Sequence, residues 1–449
     1  MATGARISAK RPALPWWNFT MLGADIAFFS LGLAISSAYT VLPLFVHHLT
    51  ADNVAVAMIP AIRALGLYGP QLLVAAHVER RKHALPFILV ATILERVPYL
   101  LLAFGALWLA GDHPSLLLGL FFVMIFLALL GGGLTYPAWL DLISRAIPSN
   151  WIGRFLGFWT GAGGILGIGG TVIAAAILKT VAWPLNFALC FALTFAAMVI
   201  SFVLLALGRE PERTVRVAPA QHSGLSSSSA IPARAPVKAN LRRQARELWE
   251  LVRNDDALRR LLLSNGLVGF STMASALFAV SALKLGGLSD AQVGAESTVL
   301  FIAMTAGNFL WGAIGDHFGH RAILIWSSLC AALSALLALG AHGFWAYALV
   351  FLVLGLNISG VQLAGFTLIT EFGPVERRPT YVALASVAYA PFAIGAPILG
   401  GILADRWGYP AVFVLTALAA LAAMFAFRFW VPDPRRAATY GMADPSEPH

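Results

Sequence analysis

Long apolar runs separated by short polar stretches make up most of the chain. A helix needs about 20 mostly apolar residues to cross the hydrocarbon core of a bilayer. Twelve runs of this kind occur, at 18–46, 52–77, 84–110, 115–146, 152–179, 182–208, 258–285, 291–315, 321–341, 344–372, 380–404 and 409–431. The pattern therefore predicts an all-α membrane protein with twelve transmembrane helices.

A long polar segment at 209–257 divides these runs into two sets of six. We predict two six-helix bundles, at 18–208 and 258–431, with cytoplasmic tails at 1–17 and 432–449. The first part of the segment is rich in Pro, Ser and Ala, which is typical of linkers. The second part, "LRRQARELWELVR", has apolar residues on one helical face. It predicts either an amphipathic helix at the cytoplasmic surface or a plain lead-in to the seventh span.

The two halves also repeat in sequence. "LTADNVAV" at 49–56 aligns with "LSDAQVGA" at 288–295, and the same ungapped alignment places His77 on Asp316. Transporters are commonly built from internal repeats, with the substrate site near the midplane between them. The repeat therefore predicts two pseudo-symmetric bundles.

The composition excludes a water-soluble globular protein. Charged residues make up 11% and hydrophobic residues 59% of the chain, whereas soluble domains carry about 25% charged residues. The mean hydropathy is +0.79. Cys190 and Cys330 both lie in apolar runs, which favours packing over a disulfide, and no spacing predicts a metal site. No cofactor is expected.

The net charge of +9 reflects membrane orientation rather than nucleic-acid binding. Most Lys and Arg residues fall in the tails, the linker and alternate loops, whereas the other loops hold only Lys179, Lys284 and Arg406. Positively charged residues favour the cytoplasmic side of a membrane. Both termini are therefore predicted to be cytoplasmic, in a multi-pass protein of a bacterial cytoplasmic membrane.

A polar cluster interrupts the apolar pattern between the eighth and ninth runs, in "WGAIGDHFGHRAIL" at 311–324. Gly312, Asp316, Gly319 and Arg321 fit the pattern G-x-x-x-D-x-x-G-x-R. We expect Gly312 to let a neighbouring helix approach closely and Gly319 to make a tight turn. Asp316 can meet a helix N-terminus or an arginine, and Arg321 can pair with acidic groups at the cytoplasmic surface.

With this loop, the twelve runs and the long central linker, the chain resembles the major facilitator superfamily over residues 18–431. Gly395 and Pro397 are similar to a glycine- and proline-rich stretch of that family. Two features depart from its pattern. The loop between the second and third runs has His77 where the family has Asp. The fifth run, with "GAGGILGIGG", lacks the proline typical of drug/proton antiporters.

The resemblance implies alternating access between the two bundles and a role for the polar loop. In the family, the corresponding loop holds the outward-facing arrangement through contacts that break as the halves rock. Gly312, Asp316, Gly319 and Arg321 would then be gating residues rather than substrate ligands. A plain helix-capping turn is the alternative.

Five ionisable residues fall within the predicted spans, where charge is costly and a functional role is the usual explanation. They are Asp25, Arg63, Glu95, Arg96 and Glu296. Asp25 shares one helical face with Ser36 and Tyr39, and this face could line a cavity. The repeat places Ser264 and Asn265 at the equivalent position on the seventh span. A carboxyl group in a low-dielectric site can hold and release a proton, so Asp25 is a candidate for proton coupling.

Other pairings of these residues are open. Glu95 and Arg96 are adjacent, so their side chains point about 100° apart on a helix. At least one of them is expected to pair with a neighbouring helix. Asp25 could pair with Arg63 or Arg96 and only brace the first half. If Arg63 instead faces the cavity, it indicates an acidic or zwitterionic substrate.

Arg145 follows Asp141 by four positions, a spacing that favours an ion pair on a helix. Aligning Pro148 with Pro374 places Arg145 opposite Glu371 of the second half. A bridge between Arg145 and Glu371 would close the cytoplasmic side. Alternatively, each residue pairs within its own half.

These features favour a secondary transporter over a membrane enzyme. The chain shows no cluster of catalytic residues near one interface, and no Gly-rich nucleotide-binding loop that would indicate direct use of ATP. We predict alternating-access transport of a small organic solute, coupled to protons, by a monomer in the lipid bilayer. A lipid or lysolipid flippase on the same fold, and a uniporter or drug exporter, are the alternatives.

Overall fold

The computed structural model describes residues 15–78, 83–148, 150–211, 250, 252–365, 367–372 and 378–433. The helices of the first half are α1 (Pro15–Ile35), α2 (Val41–Leu49), α3 (Asn53–Val78), α4 (Leu85–Ala91), α5 (Ile93–Leu109), α6 (Pro114–Ala146), α7 (Ile152–Thr180) and α8 (Leu185–Ala206). Those of the second half are α9 (Asp256–Phe270), α10 (Leu277–Lys284), α11 (Asp290–Phe318), α12 (His320–Leu339), α13 (Gly343–Ala364), α14 (Thr367–Phe372), α15 (Arg378–Trp407) and α16 (Tyr409–Phe425). A 3₁₀ turn at Ser271–Ala274 follows α9, and a π-helical turn at Ala426–Trp430 follows α16.

Eleven helical stretches in the described part of the chain are long and apolar enough to cross a membrane. α3 carries a shorter apolar stretch, Asn53–Leu67, and occupies the second predicted span. Each predicted run thus corresponds to one helix or to consecutive helices, and the predicted all-α membrane fold is confirmed. Most of the linker, with most of the proposed amphipathic helix, and the side chain of His77 lie outside the described residues.

The first and seventh spans are broken at similar places in the two halves. α1 ends at Ile35 and α2 begins at Val41, while the 3₁₀ turn separates α9 from α10. In the first break, Ser36 Oγ lies 2.7 Å from Thr194 Oγ1 of α8. Membrane helices tolerate such breaks where side-chain hydroxyls and neighbouring helices satisfy the freed polar groups.

Each half packs as a helical bundle. In the first half, α1 packs on α7 and α8, and α5 packs on α6 and α8. In the second half, α11 packs on α13, α12 packs on α13 and α16, and α9 packs on α15. Between the halves, α3 packs on α15 and α7 packs on α11. One helix pair on each side of the molecule therefore forms the interface between the bundles.

The buried apolar side chains join the halves at one end of the molecule. Around α2 and α10, one cluster contains residues of both halves, among them Phe45 and Phe278. At the opposite end the halves have separate clusters, with Leu142 in the first and Leu324 in the second. We call these the closed end and the open end.

Glycines of α7 set its distance from two neighbouring helices. A Cβ at Gly163 would lie 2.9 Å from Ser30 Oγ of α1, and one at Gly164 would lie 2.7 Å from Thr305 Oγ1 of α11. Larger residues could not fit there unless the neighbours moved. Small residues at such positions let membrane helices pack closely.

Toward the open end, α7 and α11 lose this contact. No described atom lies within 4 Å of a Cβ built at Gly153 or Gly157 of α7, or at Gly312 of α11. The expected close approach of a helix to Gly312 is therefore absent from this conformation. The reason is that the two bundles are separated at the open end.

Candidate functional site

A cavity of about 920 Å³ lies between the halves and extends toward the open end. Its wall is strongly aromatic, with Phe29, Tyr39, Tyr99, Tyr136, Trp139, Phe301 and Tyr389. All seven residues that the sequence assigned to a coupling or substrate cavity line it: Asp25, Ser36, Tyr39, Arg63, Glu95, Arg96 and Asn265. The structure therefore brings these residues to one site, and their individual roles stay predictions.

Asp25 and Arg96 are joined through one hydroxyl group. Ser201 Oγ of α8 donates a hydrogen bond to Asp25 Oδ1 at 2.5 Å and accepts one from Arg96 Nη2 at 3.0 Å. Asp25 and Arg96 are each only 5% exposed. Buried charges need hydrogen bonds or opposite charges nearby, and this arrangement supplies both. The pairing of Asp25 with Arg96 thus occurs indirectly, through Ser201.

The guanidinium group of Arg96 is held by two helices and two rings. Its Nε donates to Met198 O of α8 at 2.8 Å, and its Nη1 donates to Thr92 O at 3.0 Å. The Arg96 Cζ lies 6.0 Å from the ring centroid of Phe29 and 5.5 Å from that of Phe202, within the range of cation–π contacts. Arg96 is therefore fixed against α8, as expected if it pairs with a neighbouring helix.

Glu95 extends the hydrogen bonds to α6. Its Oε1 accepts from Thr135 Oγ1 at 2.8 Å, and its Oε2 accepts from Thr92 Oγ1 at 2.5 Å. Arg96 Nη1 lies 3.2 Å from Glu95 Oε2, so the two neighbours also pair with each other. The connected residues Asp25, Thr92, Glu95, Arg96, Thr135 and Ser201 are called the Asp25 network below.

Arg63 of α3 also lines the cavity. Its Cζ is 5.5 Å from the ring centroid of Tyr39. Arg63 also lines a smaller cavity of about 180 Å³, together with Gln362 and Tyr389 of the second half. A guanidinium group is planar and can bind a carboxylate through two hydrogen bonds. Arg63 is therefore placed where it could contact an anionic group in the cavity.

The two halves contribute unequally to the cavity wall. The polar side chains from the second half are uncharged and include Asn265, Gln362, Ser386 and Tyr389. Among the described residues of the wall, every Asp, Glu and Arg belongs to the first half. The charged chemistry of the site is thus built into one bundle.

Polar contacts hold the halves together at the closed end. His48 Nε2 of α2 lies 2.6 Å from Asp290 Oδ2 of α11. Asn53 Nδ2 of α3 donates to Asp405 Oδ1 of α15 at 2.6 Å, and Tyr409 Oη donates to Asn53 Oδ1 at 2.5 Å. These residues close the cavity on the side away from the open end.

The polar loop between α11 and α12 forms the expected tight turn. Gly319 has φ of +85°, a conformation that favours glycine, and it ends α11. Arg321 Nε donates to Phe427 O at 2.7 Å, Arg321 Nη2 donates to Arg428 O at 2.6 Å, and Nη1 lies 3.9 Å from Asp433 Oδ2. Arg321 therefore anchors the end of the last span within the second half.

Arg145 is bound within the first half. Its Nη2 lies 2.7 Å from Asp141 Oδ2 and 2.7 Å from Glu210 Oε1. Glu210 also accepts hydrogen bonds from two backbone N–H groups at the start of α4. The Nη1 of Arg145 is buried and has no hydrogen-bond partner among the described residues. The Glu371 side chain lies outside them, so the bridge between the halves stays a prediction.

Comparison with known proteins agrees with this architecture. A model of the Major Facilitator Superfamily matches residues 26–286 and 261–444. An uncharacterized protein of Mycobacterium tuberculosis is 26% identical over 425 residues, which cover 90% of this chain and 76% of that protein.

Two solved structures show the same fold. The nucleoside transporter NupG superposes with a TM-score of 0.63 at 13% identity, over 92% of this chain and 98% of that one. A D-xylose-proton symporter superposes with a TM-score of 0.63 at 14% identity, over 93% of this chain and 97% of that one. At these identities the likeness concerns the fold alone.

The fold and the cavity thus define a multi-pass membrane protein of two helical bundles that enclose a central site. The chain belongs to the major facilitator superfamily. It is therefore a membrane transporter and not an enzyme.

Proposed function

We propose that the protein moves a small organic solute by alternating access and couples this movement to protons. The observation that carries the proposal is the Asp25 network, a hydrogen-bonded set of buried charges in the wall of the central cavity. Ionisable groups at membrane depth are costly, and they commonly mark proton and substrate pathways.

Asp25 is the proposed proton acceptor of this network. A proton on its carboxylate would remove the negative charge that offsets Arg96 through Ser201. Arg96 would then be balanced by Glu95 alone, and the network would lose its net negative charge. An anionic group of the substrate would be repelled less, so proton binding and substrate binding would favour each other.

The proposed substrate is a small aromatic or amphipathic molecule that carries a carboxylate or a similar anionic group. Arg63 beside Tyr39 supports the anionic group, and the aromatic wall supports the apolar part. Pockets of this kind place a few polar groups in a mostly apolar wall, which fixes the orientation of the ligand. The uncharged side chains that the second half contributes to the cavity wall would contact the rest of the solute.

The proposed orientation follows from the basic loops. With both tails cytoplasmic, the open end faces the cytoplasm and the closed end faces outward. The structure would then represent an inward-facing state of a monomer in a bacterial cytoplasmic membrane. Asp316 and Arg321 would contribute to the opposite, outward-facing state.

The experiment is a transport assay with the purified protein in liposomes that contain a pH indicator. A panel of aromatic carboxylates, neutral metabolites, drugs and lysolipids is added outside. We expect proton movement with one class of anionic solute, and we expect Asp25→Asn to abolish it. Asp112→Asn is the matched control, because Asp112 is an exposed carboxylate remote from the cavity.

Each other result points to a different function. Uptake that is unaffected by Asp25→Asn and needs no pH gradient would indicate a uniporter and a structural role for Asp25. Translocation of lysolipid without proton movement would indicate a flippase. Arg63→Gln should lower the transport of anionic solutes and leave the transport of neutral solutes unchanged. An equal loss of transport for both classes would contradict the proposed anion contact.

A further inference from the structure

Glu296 is a buried carboxyl group that takes no part in the Asp25 network. It lies on α11 near the closed end and is 0% exposed. Neither carboxyl oxygen has a hydrogen-bond partner among the described residues. The adjacent Ser297 contacts Thr40 of the first half. Glu296 therefore lies one residue from a contact that joins the two halves.

The ionisable groups nearest in the fold are engaged elsewhere. On this part of α11 and on the closed-end parts of the helices packed against it, they are Lys179, Lys284, His47, His48, Tyr347 and Asp290. His48 bonds to Asp290. Lys284 Nζ lies 5.9 Å from the ring centroid of Tyr409. Lys179 of α7 is exposed.

The remaining groups also leave Glu296 without a counter-charge. Tyr347 Oη of α13 lies 3.4 Å from Ser281 Oγ of α10. The buried Nδ1 of His47 has no hydrogen-bond partner among the described residues, so it does not bond to Glu296. α12 carries His320 and Arg321 at the open end, away from Glu296.

A negative charge on Glu296 would therefore be both buried and unpaired while the closed end is closed. Such a charge is very unfavourable, whereas the neutral acid avoids most of the cost. We propose that Glu296 is a proton-binding site, separate from the Asp25 network, and that it must hold a proton before the closed end can close.

The position of Glu296 also indicates where its proton comes from. Glu296 is not among the residues that line either described cavity, so water in them does not reach it directly. When the halves separate at the closed end, the contact beside Ser297 opens and water gains access. Glu296 therefore exchanges its proton with the side of the membrane that the closed end faces.

Acid on that side thus drives closure. Linkage of one proton changes the ratio of closed to open molecules by up to about tenfold per pH unit. The contact between His48 and Asp290 also holds the halves together at this end. It is therefore removed in the experiment, so that the effect of Glu296 is measured without it.

The test measures the separation of the halves at the closed end, without substrate or gradient. Asp112→Cys and Gly340→Cys place spin labels on exposed loops of the two halves, in a protein that also carries Cys190→Ala and Cys330→Ala. All samples carry a further substitution, His48→Gln. Pulsed electron paramagnetic resonance in lipid nanodiscs then gives the distance distribution from about pH 8 to about pH 5, where buried acids titrate.

We expect acid to shift this background protein to the short distance, and Glu296→Gln to keep the short distance throughout. Glu296→Asp should retain the response with a displaced midpoint, and it serves as the second variant if Glu296→Gln does not fold. A pH response that is absent from the background protein, or is unchanged in these Glu296 variants, overturns the proposal. Because this experiment measures no transport, such a result does not test the coupling role of Asp25, which the liposome assay tests separately.

Discussion

The imidazole Nε2 of His48 lies 2.6 Å from Oδ2 of Asp290, and this contact joins the two halves of the transporter at the closed end. The His48 ring also stacks on Trp183, with 4.7 Å between the ring centroids. The side chains of His48 and Asp290 are 30% and 26% exposed. The pair is therefore held in place by packing, yet water can still reach it.

Asp290→Asn should make the closed end easier to open. A partly exposed polar or ionic pair contributes about 1 kcal/mol at most, so the closed-to-open ratio should fall by about fivefold. The spin-label pair described for Glu296 measures this ratio, here in a protein that keeps His48. Asp52→Asn is the control, because the exposed Asp52 carboxylate accepts a hydrogen bond from Val54 N of its own segment. An equal fall in both variants would mean that the cross-half contact contributes nothing specific.

Ser201→Ala should destabilise the first half and reduce proton coupling. The change leaves Asp25 Oδ1 and Arg96 Nη2 without the hydroxyl that joins them. Loss of a buried hydrogen bond to a charged group costs about 1–3 kcal/mol. Thermal unfolding and the liposome assay check the two effects.

Ser264→Ala is the matched control for Ser201→Ala. Ser264 is equally buried, but its Oγ donates to Arg260 O of its own helix. Removal of the Ser264 hydroxyl should therefore lower the stability less than Ser201→Ala does, and it should leave proton coupling unchanged. If both variants behave alike, the connection between Asp25 and Arg96 has no special role.

Gly157→Leu should trap the transporter with its open end open. Contacts of Gly167 with Phe301 and Gly164 with Thr305 fix the register of α7 against α11. The same pairing, continued by seven residues along each helix from Gly164 and Thr305, places Gly157 opposite Gly312 when the bundles meet at the open end. Both positions are unobstructed in the present conformation, so a leucine would interfere only with closure.

The expected cost of that leucine is about 1–3 kcal/mol against the state with the open end closed. Transport should fall while folding stays normal, and spin labels on the open end should remain far apart. Gly169→Leu is the control on the same helix, because Gly169 also has no described atom within 4 Å and lies away from this register. Normal transport in Gly157→Leu would rule out the proposed contact.

Arg145→Ala and Glu371→Ala test the predicted bridge between the halves. If the bridge forms when the open end closes, each change should lower transport, and the double variant should lose little more than either single one. Coupled residues show interaction free energies of about 0.5–3 kcal/mol in such a cycle. Additive losses would instead assign Arg145 to its contacts with Asp141 and Glu210. Normal transport in both single variants would also exclude the bridge.

The sequence predicts the spans well because a bilayer imposes a simple demand on each of them. Crossing helices must be long and apolar, and that property can be counted. The same rule singles out Asp25, Arg63, Glu95 and Arg96, because a charge inside a span is costly and usually serves a function. All four line the cavity.

Other parts of the site could not be predicted from the sequence. Ser201 and Thr135 join the buried charges, but a hydroxyl within an apolar run is too common to stand out. Glu210 lies at the start of the linker, and only the fold brings it to Arg145. The expected contact at Gly312 depends on the conformation, which one-dimensional spacing cannot specify.

The confinement of charge to one wall of the cavity bears on how such a protein can evolve. The Asp25 network keeps its hydrogen bonds inside the first bundle, so rocking of the second bundle need not break an ion pair. New solute preferences could arise through substitutions such as those at Gln362 or Tyr389, while the Asp25 network stays intact. Changes in substrate preference and changes in coupling would then evolve independently, in different halves of one chain.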